Sequence, residues 1–510
     1  MPPLPLLLNE NEANHLAKYD QFWENPSGTP IMWIGLLYAM MCLSVQYQRF
    51  SPNEARRLQG LDLDAENLVR VYREKIVQCL VLGGYTNGPA YTVETLLLYL
   101  FVEYLGKKWS GNNNWVLMGI IVRIALRMGY HRDGSHFLST LSPFQAEMRR
   151  RTWTIIVQWD MLFALQFGLP RTVQQAHSDT AEPRNLTDDD LHPEMLELPP
   201  ARPESTKTSP QYHVSKNRFL SILALVFDLS ISPRPAPLIE VLSLDALLKN
   251  AYKTIFLAWQ PVPTMANASP TANVRWSLLA PLSYRAEIIL HRKYLTLGRS
   301  KPQYAYSRRT CVEASLLLLQ HQWMLHLETQ AGGRLCRHGW KFLGVLQQDF
   351  LLATAVMCLE LAQSIDRATS ASDTTQNRPS SDSPSPSPPS SNEKENFNET
   401  RDRVFHALSG SYIVWTQSSE SSPEAQTMAD ALKALLGKAQ QAGVGSALGN
   451  DTGWGSEKAP LTLSDENLNT AFQLPETSVE QYLRPPSFML GIAGPILRED
   501  TYPGIGHFPI

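Results

Sequence analysis

The stretch SPFQAEMRRRTWTIIVQWDMLFALQFGLPR, from Ser142 to Arg171, limits the possible folds of this chain more than any other. It opens with the marks of a helix start: Ser142 as cap, Pro143 at the first helical position, and Gln145 where a capping box places Glu or Gln. It closes as plainly, because Gly168 followed by Pro170 does not continue a helix. After the triplet Arg149, Arg150 and Arg151 it is almost wholly apolar, with Asp160 as the lone acid.

The preceding segment, NWVLMGIIVRIALRMGYHRDG, sets Trp115, Met118, Ile121, Val122, Ala125 and Met128 on one face and Arg123 and Arg127 on another. Its intervening positions are also mostly apolar, so it is expected in the middle of a bundle, with Gly129 as a left-handed stop. Similar spacing predicts helices over Leu63–Leu82, Thr92–Leu105, Ser215–Ser230, Leu242–Trp259, Ser283–Leu297, Tyr306–Leu327 and Leu343–Ile365. Two more are expected over Val404–Thr416 and Glu424–Ala442. No run alternates as a strand does, so the fold class is all-α, a large multi-helix bundle or array. The apolar run Ile31–Val45 falls short of the roughly 20 residues that span a bilayer and is expected to be a buried helix. The start of the sequence has no positively charged leader of the secretory kind.

Two stretches break the pattern. SDTAEPRNLTDDDLHPEMLELPPARPESTKTSPQYH is proline-rich and acidic, a surface connection ordered only by docking on the bundle. The Ser/Pro-rich insertion after Asp366 lacks the apolar surface to offset chain entropy, so disorder is expected over 366–403. The three expected regions are therefore a helical domain over 1–365, a linker over 366–403, and a region over 404–510 with one or two helices and an irregular tail.

Charge argues against a nucleic-acid or membrane partner for the chain as a whole: Lys plus Arg is 45, Asp plus Glu is 48, and the net charge is -3. Cys42, Cys79, Cys311, Cys336 and Cys358 are scattered and odd in number, which suggests neither a disulfide framework nor a zinc site. His131-Arg132-Asp133 has the letters of a kinase catalytic loop, but Leu138 stands where the metal-binding Asn belongs. Asp188 to His192 fails a DDxxD spacing and reads as a solvated acidic turn. The series Gly443, Gly445 and Gly449 follows a helix rather than a strand, which removes its dinucleotide-binding meaning. No catalytic, metal or cofactor residues are therefore assigned, and the chain is not expected to be an enzyme.

Three consecutive arginines fan over about 200 degrees of a helix and do not converge on one phosphate. A buried carboxylate needs a partner, so Asp160 is expected to pair with an arginine of its own helix, Arg149, Arg150 or Arg151, or of the neighbouring segment, Arg123, Arg127 or Arg132. An anion site and direct DNA contact are the alternatives for the cluster. Glu147, three and four residues before Arg150 and Arg151, neutralises part of it locally.

The ordered series YDQFWENPSGTPIMWIGLLYAMMCL, YTVETLLLY, WVLMGIIVRIALRMGYHRDG, LSPFQAEMRRRTWTIIVQWDMLFALQFGLPR, DTAEPRNLTDDDL and ILHRKYL resembles the regulatory, or middle homology, domain of fungal zinc binuclear cluster transcription factors. The resemblance covers most of residues 18–365 and implies an all-α domain that regulates transcription, controls an attached DNA-binding module and, in some members, responds to a small molecule. The six closely spaced cysteines of such factors are missing from these residues, and the earliest helices of the domain are expected to be missing too. The implied partners are the transcription machinery or a DNA-binding partner protein, with a small-molecule effector, in the nucleus. Direct DNA binding is expected only if a zinc cluster lies upstream of this chain. A cytoplasmic helical sensor and a degenerate or truncated relative are the alternatives.

Overall fold

The computed structural model describes residues 12–49, 64–106, 113–137, 140–234, 236–259, 270–330, 332–336, 346–376, 391–419 and 422–444. Among the described residues there are helices and turns but no strand. The helices are α1 (Glu12–Glu24), α2 (Ile31–Arg49), α3 (Ala65–Leu82), α4 (Thr92–Gly106), α5 (Asn113–Arg127) and α6 (Pro143–Phe167). They continue with α7 (Ser209–Ile231), α8 (Leu238–Ala251), α9 (Pro270–His291), α10 (Ala305–Thr329), α11 (Gln347–Gln376), α12 (Ser391–Ser418) and α13 (Pro423–Gln441). The tail expected to be irregular, with Gly445 and Gly449, lies outside the described residues, as does the middle of the Ser/Pro-rich segment.

Three hydrophobic clusters meet along two shared helices. The first gathers α2, α3, α4, α5 and one face of α6 around Trp33, Ile76, Leu97, Ile121, Ile156 and Phe163. The second packs Met161, Ala164 and Leu165 of α6 against Phe219 and Leu223 of α7, Leu248 of α8, and Leu279 and Ile289 of α9. The third joins α9 through Ile288 to α10, α11, α12 and α13, with Leu318, Val356, Leu408 and Leu432 at its centre. Long α6 and α9 each carry apolar residues on two faces, and this turns a set of amphipathic helices into one continuous array. Helix α2 is long and apolar enough to cross a membrane by composition. Met32, Trp33, Leu36, Ala39, Cys42 and Leu43 on it are buried in the first cluster.

Several helix ends differ from the sequence expectation for local reasons. Helix α7 begins at Ser209 because Thr208 caps it, accepting from the Gln211 N–H at 3.2 Å, with a proline in the first turn. The Thr-Ser-Pro run that reads as loop is a helix start. Helix α8 passes into a π-turn at Tyr252–Phe256 before the short continuation Leu257–Trp259. Helices α11 and α12 both run into the expected disordered segment, and α12 and α13 share the third cluster with α10 and α11. The region from 404 is thus packed on the same core as the residues before 365.

Helix α9 starts at Pro270, well before the expected Ser283, and runs straight through Pro281. A proline inside a helix lacks the N–H that would reach the carbonyl four residues back, here that of Ser277. His321 of α10 supplies the missing donor, its Nε2–H reaching Ser277 O at 3.0 Å. Burial pulls His321 down to about 4, so the imidazole stays neutral while it donates this bond.

Candidate functional site

The arginine triplet sits on the first half of α6, and each guanidinium takes a different direction, as the helical fan requires. Arg149 turns back to the end of α5, where it donates to Met128 O and lies over the Tyr130 ring at 4.1 Å. Arg150 forks onto Asp133, with Nε and Nη2 both at 2.7 Å from its oxygens, and stands 3.6 Å from Glu147. Arg151, only 1% exposed, donates to Asp188 Oδ1 and Leu186 O at 2.7 Å each and to Glu147 Oε1 at 3.4 Å. Glu147 in turn accepts the Arg184 N–H at 3.0 Å. Burial pushes Glu147 up from the ordinary glutamate range, against the opposing pull of Arg151 and Arg150.

The two fragments that look like chemistry in the sequence are what these arginines hold. Asp133 accepts Arg150 and also the N–H groups of Ser135 and Ala181, both at 2.9 Å. Arg132 reaches Asp179 at 2.9 Å, and Asp179 accepts the Asp133 N–H at 3.0 Å. The His-Arg-Asp turn is therefore stitched to residues 178–181. Gly134 completes it, since a Cβ there would stand 2.4 Å from that of Ala146 on α6. In the acidic run, Asp188 binds Arg151 while Asp190 accepts from Thr187 N at 2.7 Å and from Arg202 Nη2 at 2.8 Å. Leu186 and Leu191 on either side are buried against Phe144 and Met148 of α6. The long proline-rich connection is ordered by this docking.

The Arg150 fork, more than any other contact, holds the Asp133 carboxyl below the usual aspartate range. A depressed carboxylate contributes stability that is complete above its unfolded value of about 3.9 and is lost as pH falls below it. Asp133→Asn is expected to flatten that acid limb, so urea midpoints taken between about pH 5 and about pH 3 should fall less steeply than those of the parent.

Asp160 is the correction. It is 3% exposed, yet it takes no guanidinium: Oδ2 accepts the backbone N–H groups of Thr172 at 2.8 Å and Val173 at 2.7 Å. It lies on α6 about nine residues beyond Arg151, some 13 Å along the axis, too far for that cluster to reach. Arg171, the nearest cation acting on it, forks onto Asp228 at 2.8 Å instead. Arg123 and Arg127 are satisfied by the carbonyls of Gly119 and Thr86. Of the expected residues, Arg132, Arg150 and Arg151 gather around the docked connection, Arg149 holds the end of α5, and Asp160, Arg123 and Arg127 stand apart. Asp160→Ala is expected to cost about 1–3 kcal/mol through two stranded N–H groups. Its coupling to Arg149, Arg150 or Arg151 in double-mutant cycles should stay below about 0.5 kcal/mol.

Sequence reasoning also missed two buried polar nodes. Asp245 of α8 gathers Lys249 at 2.9 Å, His291 at 3.2 Å and the Tyr306 hydroxyl. Arg285 of α9 pairs with Asp349 of α11 and donates to Leu165 O of α6 at 2.6 Å. Apart from Lys249, four residues from Asp245 on the same helix, the partners lie tens of residues apart, and only a lone charge in an apolar stretch marks them in the sequence. Among the described residues, no group of three or more His, Cys, Asp or Glu is placed to hold a metal ion.

The charged motifs thus fix turns and loops of an all-helical array. Residues 5–253 match the fungal specific transcription factor domain, a domain of transcription factors rather than of enzymes. The Zn(2)-C6 fungal-type transcription factor pigI of Monascus ruber is 42% identical over 433 residues, 84% of this chain and 50% of that protein. The pyrrolocin cluster transcription factor fsdR of a fungal species is 38% identical, covering 82% of this chain and 54% of its own length. The equisetin cluster transcription factor eqxF of Fusarium heterosporum is 36% identical, with 84% and 58% covered. The chain thus spans about half the length of the curated relatives it matches. No solved structure gives a significant match.

Proposed function

We propose that this chain is the regulatory part of a nuclear transcription factor that controls the genes of a biosynthetic cluster. The observation that carries the reading is that relatives aligned over more than four fifths of the chain are named as transcription factors of such clusters. The arrangement of charge supports a role without direct DNA contact for these residues. The conspicuous basic triplet is consumed by Met128 O, Asp133, Glu147, Asp188 and Leu186 O, and a net charge of -3 offers little counterion release. DNA contact then comes from elements outside these residues or from a partner protein, and the array passes protein contacts on to the transcription machinery.

Two experiments test the proposal. Deleting the gene should lower or raise together the transcripts of one co-regulated biosynthetic gene set, and a fluorescent fusion should collect in the nucleus. Tethering residues 1–510 to an unrelated DNA-binding module should change a reporter's output. Unchanged transcripts across growth conditions, together with a silent tethered reporter, would refute it.

A further inference from the structure

Only one row of α8 is buried, Val241, Asp245, Leu248 and Ala251, whereas Ile239 and Leu247 on its other side are 72% and 48% exposed. The helix passes into the π-turn Tyr252–Phe256, a form that concentrates at functional sites. Besides three apolar side chains, the Asp245 node seats it. Asp245 takes Lys249 at 2.9 Å from its own helix, His291 at 3.2 Å from the end of α9, and the Tyr306 hydroxyl from the start of α10. Against the upward pull of burial, His291, Tyr306 and Lys249 hold Asp245 down to about 2, so this carboxylate is charged near neutral pH.

A second acid faces this node. Glu287 lies one turn before His291 on the same side of α9, is half-buried, and makes no hydrogen bond or ion pair among the described residues. The titratable groups facing it are Asp245 and Lys249 of α8, Tyr284 of its own helix and Cys311 of α10. Helices α7 and α11 also pack on α9, but Asp228 and Asp349 there are engaged with Arg171 and Arg285. Two carboxyls thus share one ammonium, and Asp245 holds it. Burial first, and then the Asp245 charge, push Glu287 up to about 7 against the attraction of Lys249.

We infer that α8 is a proton-controlled latch, seated on α9 and α10 while Glu287 carries its proton and loosened when Glu287 is ionised beside Asp245. The ionised pair puts two negative charges in one half-buried joint with a single lysine between them, and lifting α8 returns both acids to water. A carboxyl raised above its unfolded value of about 4.3 binds its proton more tightly in the seated state. The hold it adds is therefore complete below about pH 4.3 and is lost as pH rises through about 7. The latch is a property of the joint between α8, α9 and α10 and does not rest on the transcriptional reading.

The test is hydrogen exchange of the full chain, read as protection factors corrected for the intrinsic exchange rate at each pH. Between about pH 6 and about pH 8.5 the protection of the α8 amides should fall about tenfold and level off above about pH 7, with the circular dichroism of the chain unchanged. Glu287→Gln keeps the shape of the side chain without its charge, and should make the α8 profile flat at or above the protection of the parent at about pH 6. Lys249→Met removes the cation that opposes the rise of Glu287, and should carry the levelling-off to higher pH. A flat profile in the parent would overturn the inference. So would a fall that Glu287→Gln leaves in place, since the titrating group would then be another member of the node.

Discussion

Arg151→Ala should destabilise the protein by about 3–5 kcal/mol, a large part of the about 5–15 kcal/mol that holds an ordinary domain together. The guanidinium is 1% exposed and serves three acceptors at once, Glu147, Asp188 and Leu186 O. Its removal leaves the fully buried Glu147 with Arg150, at 3.6 Å, as its one remaining cation on α6. Most of the cost is the stranded acid rather than the lost attraction, which gives the prediction a signature. Glu147 already has a raised pKa, so the folded variant binds a proton more readily than the unfolded chain. Its deficit relative to the parent should therefore narrow as pH falls from about 7 to about 5. Glu147→Gln in the Arg151→Ala background should recover about 1–2 kcal/mol. The damage should also have an address. Trypsin should cut the connection after Arg184 and after Lys207 much faster in the variant, while sites inside α10 stay protected. A urea midpoint within error of the parent, with unchanged cleavage, would refute the clasp.

What the sequence makes legible here follows the range of each interaction. Helix α6 was readable to the residue at both ends because its signals are local: Ser142 and Gln145 form the reciprocal box, and Gly168 turns left-handed with φ of 67°. The direction of the triplet was half readable. Helical geometry forbids Arg149, Arg150 and Arg151 from converging, and Glu147 lies within their own turn, but Asp133 and Asp188 come from outside the helix. Asp160 shows the limit most clearly. Its surroundings demand a partner, but an arginine and two backbone N–H groups satisfy that demand equally well in a linear reading. The turn after Gly168 brings Thr172 and Val173 back over the helix and decides the matter. The late start expected for α9 at Ser283 has a long-range reason: the helix continues through Pro281 with His321, from another helix, taking up the carbonyl that the proline abandons. The kinase-like and acidic fragments carry the carboxylates that accept Arg150 and Arg151 and dock the proline-rich connection, a role that neither fragment announces in the sequence.

Arg285→Met is the second change expected to cost about 3–5 kcal/mol, and it acts where the clusters join rather than at their edge. Arg285 of α9 reaches the Leu165 carbonyl in the last turn of α6, one of the four that a helix end leaves without an internal donor. It simultaneously pairs with Asp349 at the start of α11, so one side chain closes the seam between the second and third clusters. Methionine fills much of the space, so packing is largely kept and the loss reports the stranded carbonyl and carboxylate. Burial pushes Asp349 up to about 6 even with Arg285 beside it, well above the unfolded value of about 3.9. A raised carboxyl binds its proton more tightly when folded, so this group adds stability as pH falls from about 6 towards about 4. Without the guanidinium the folded value climbs further, and the variant should be most impaired above about pH 7 and partly restored near about pH 5. Asp349→Asn in the same chain should remove that pH dependence and return part of the lost stability, because an amide needs no counter-charge. Denaturant midpoints of the parent and the two variants at both pH values decide it: equal deficits at each pH would mean that the buried charge is not what Arg285 holds in place.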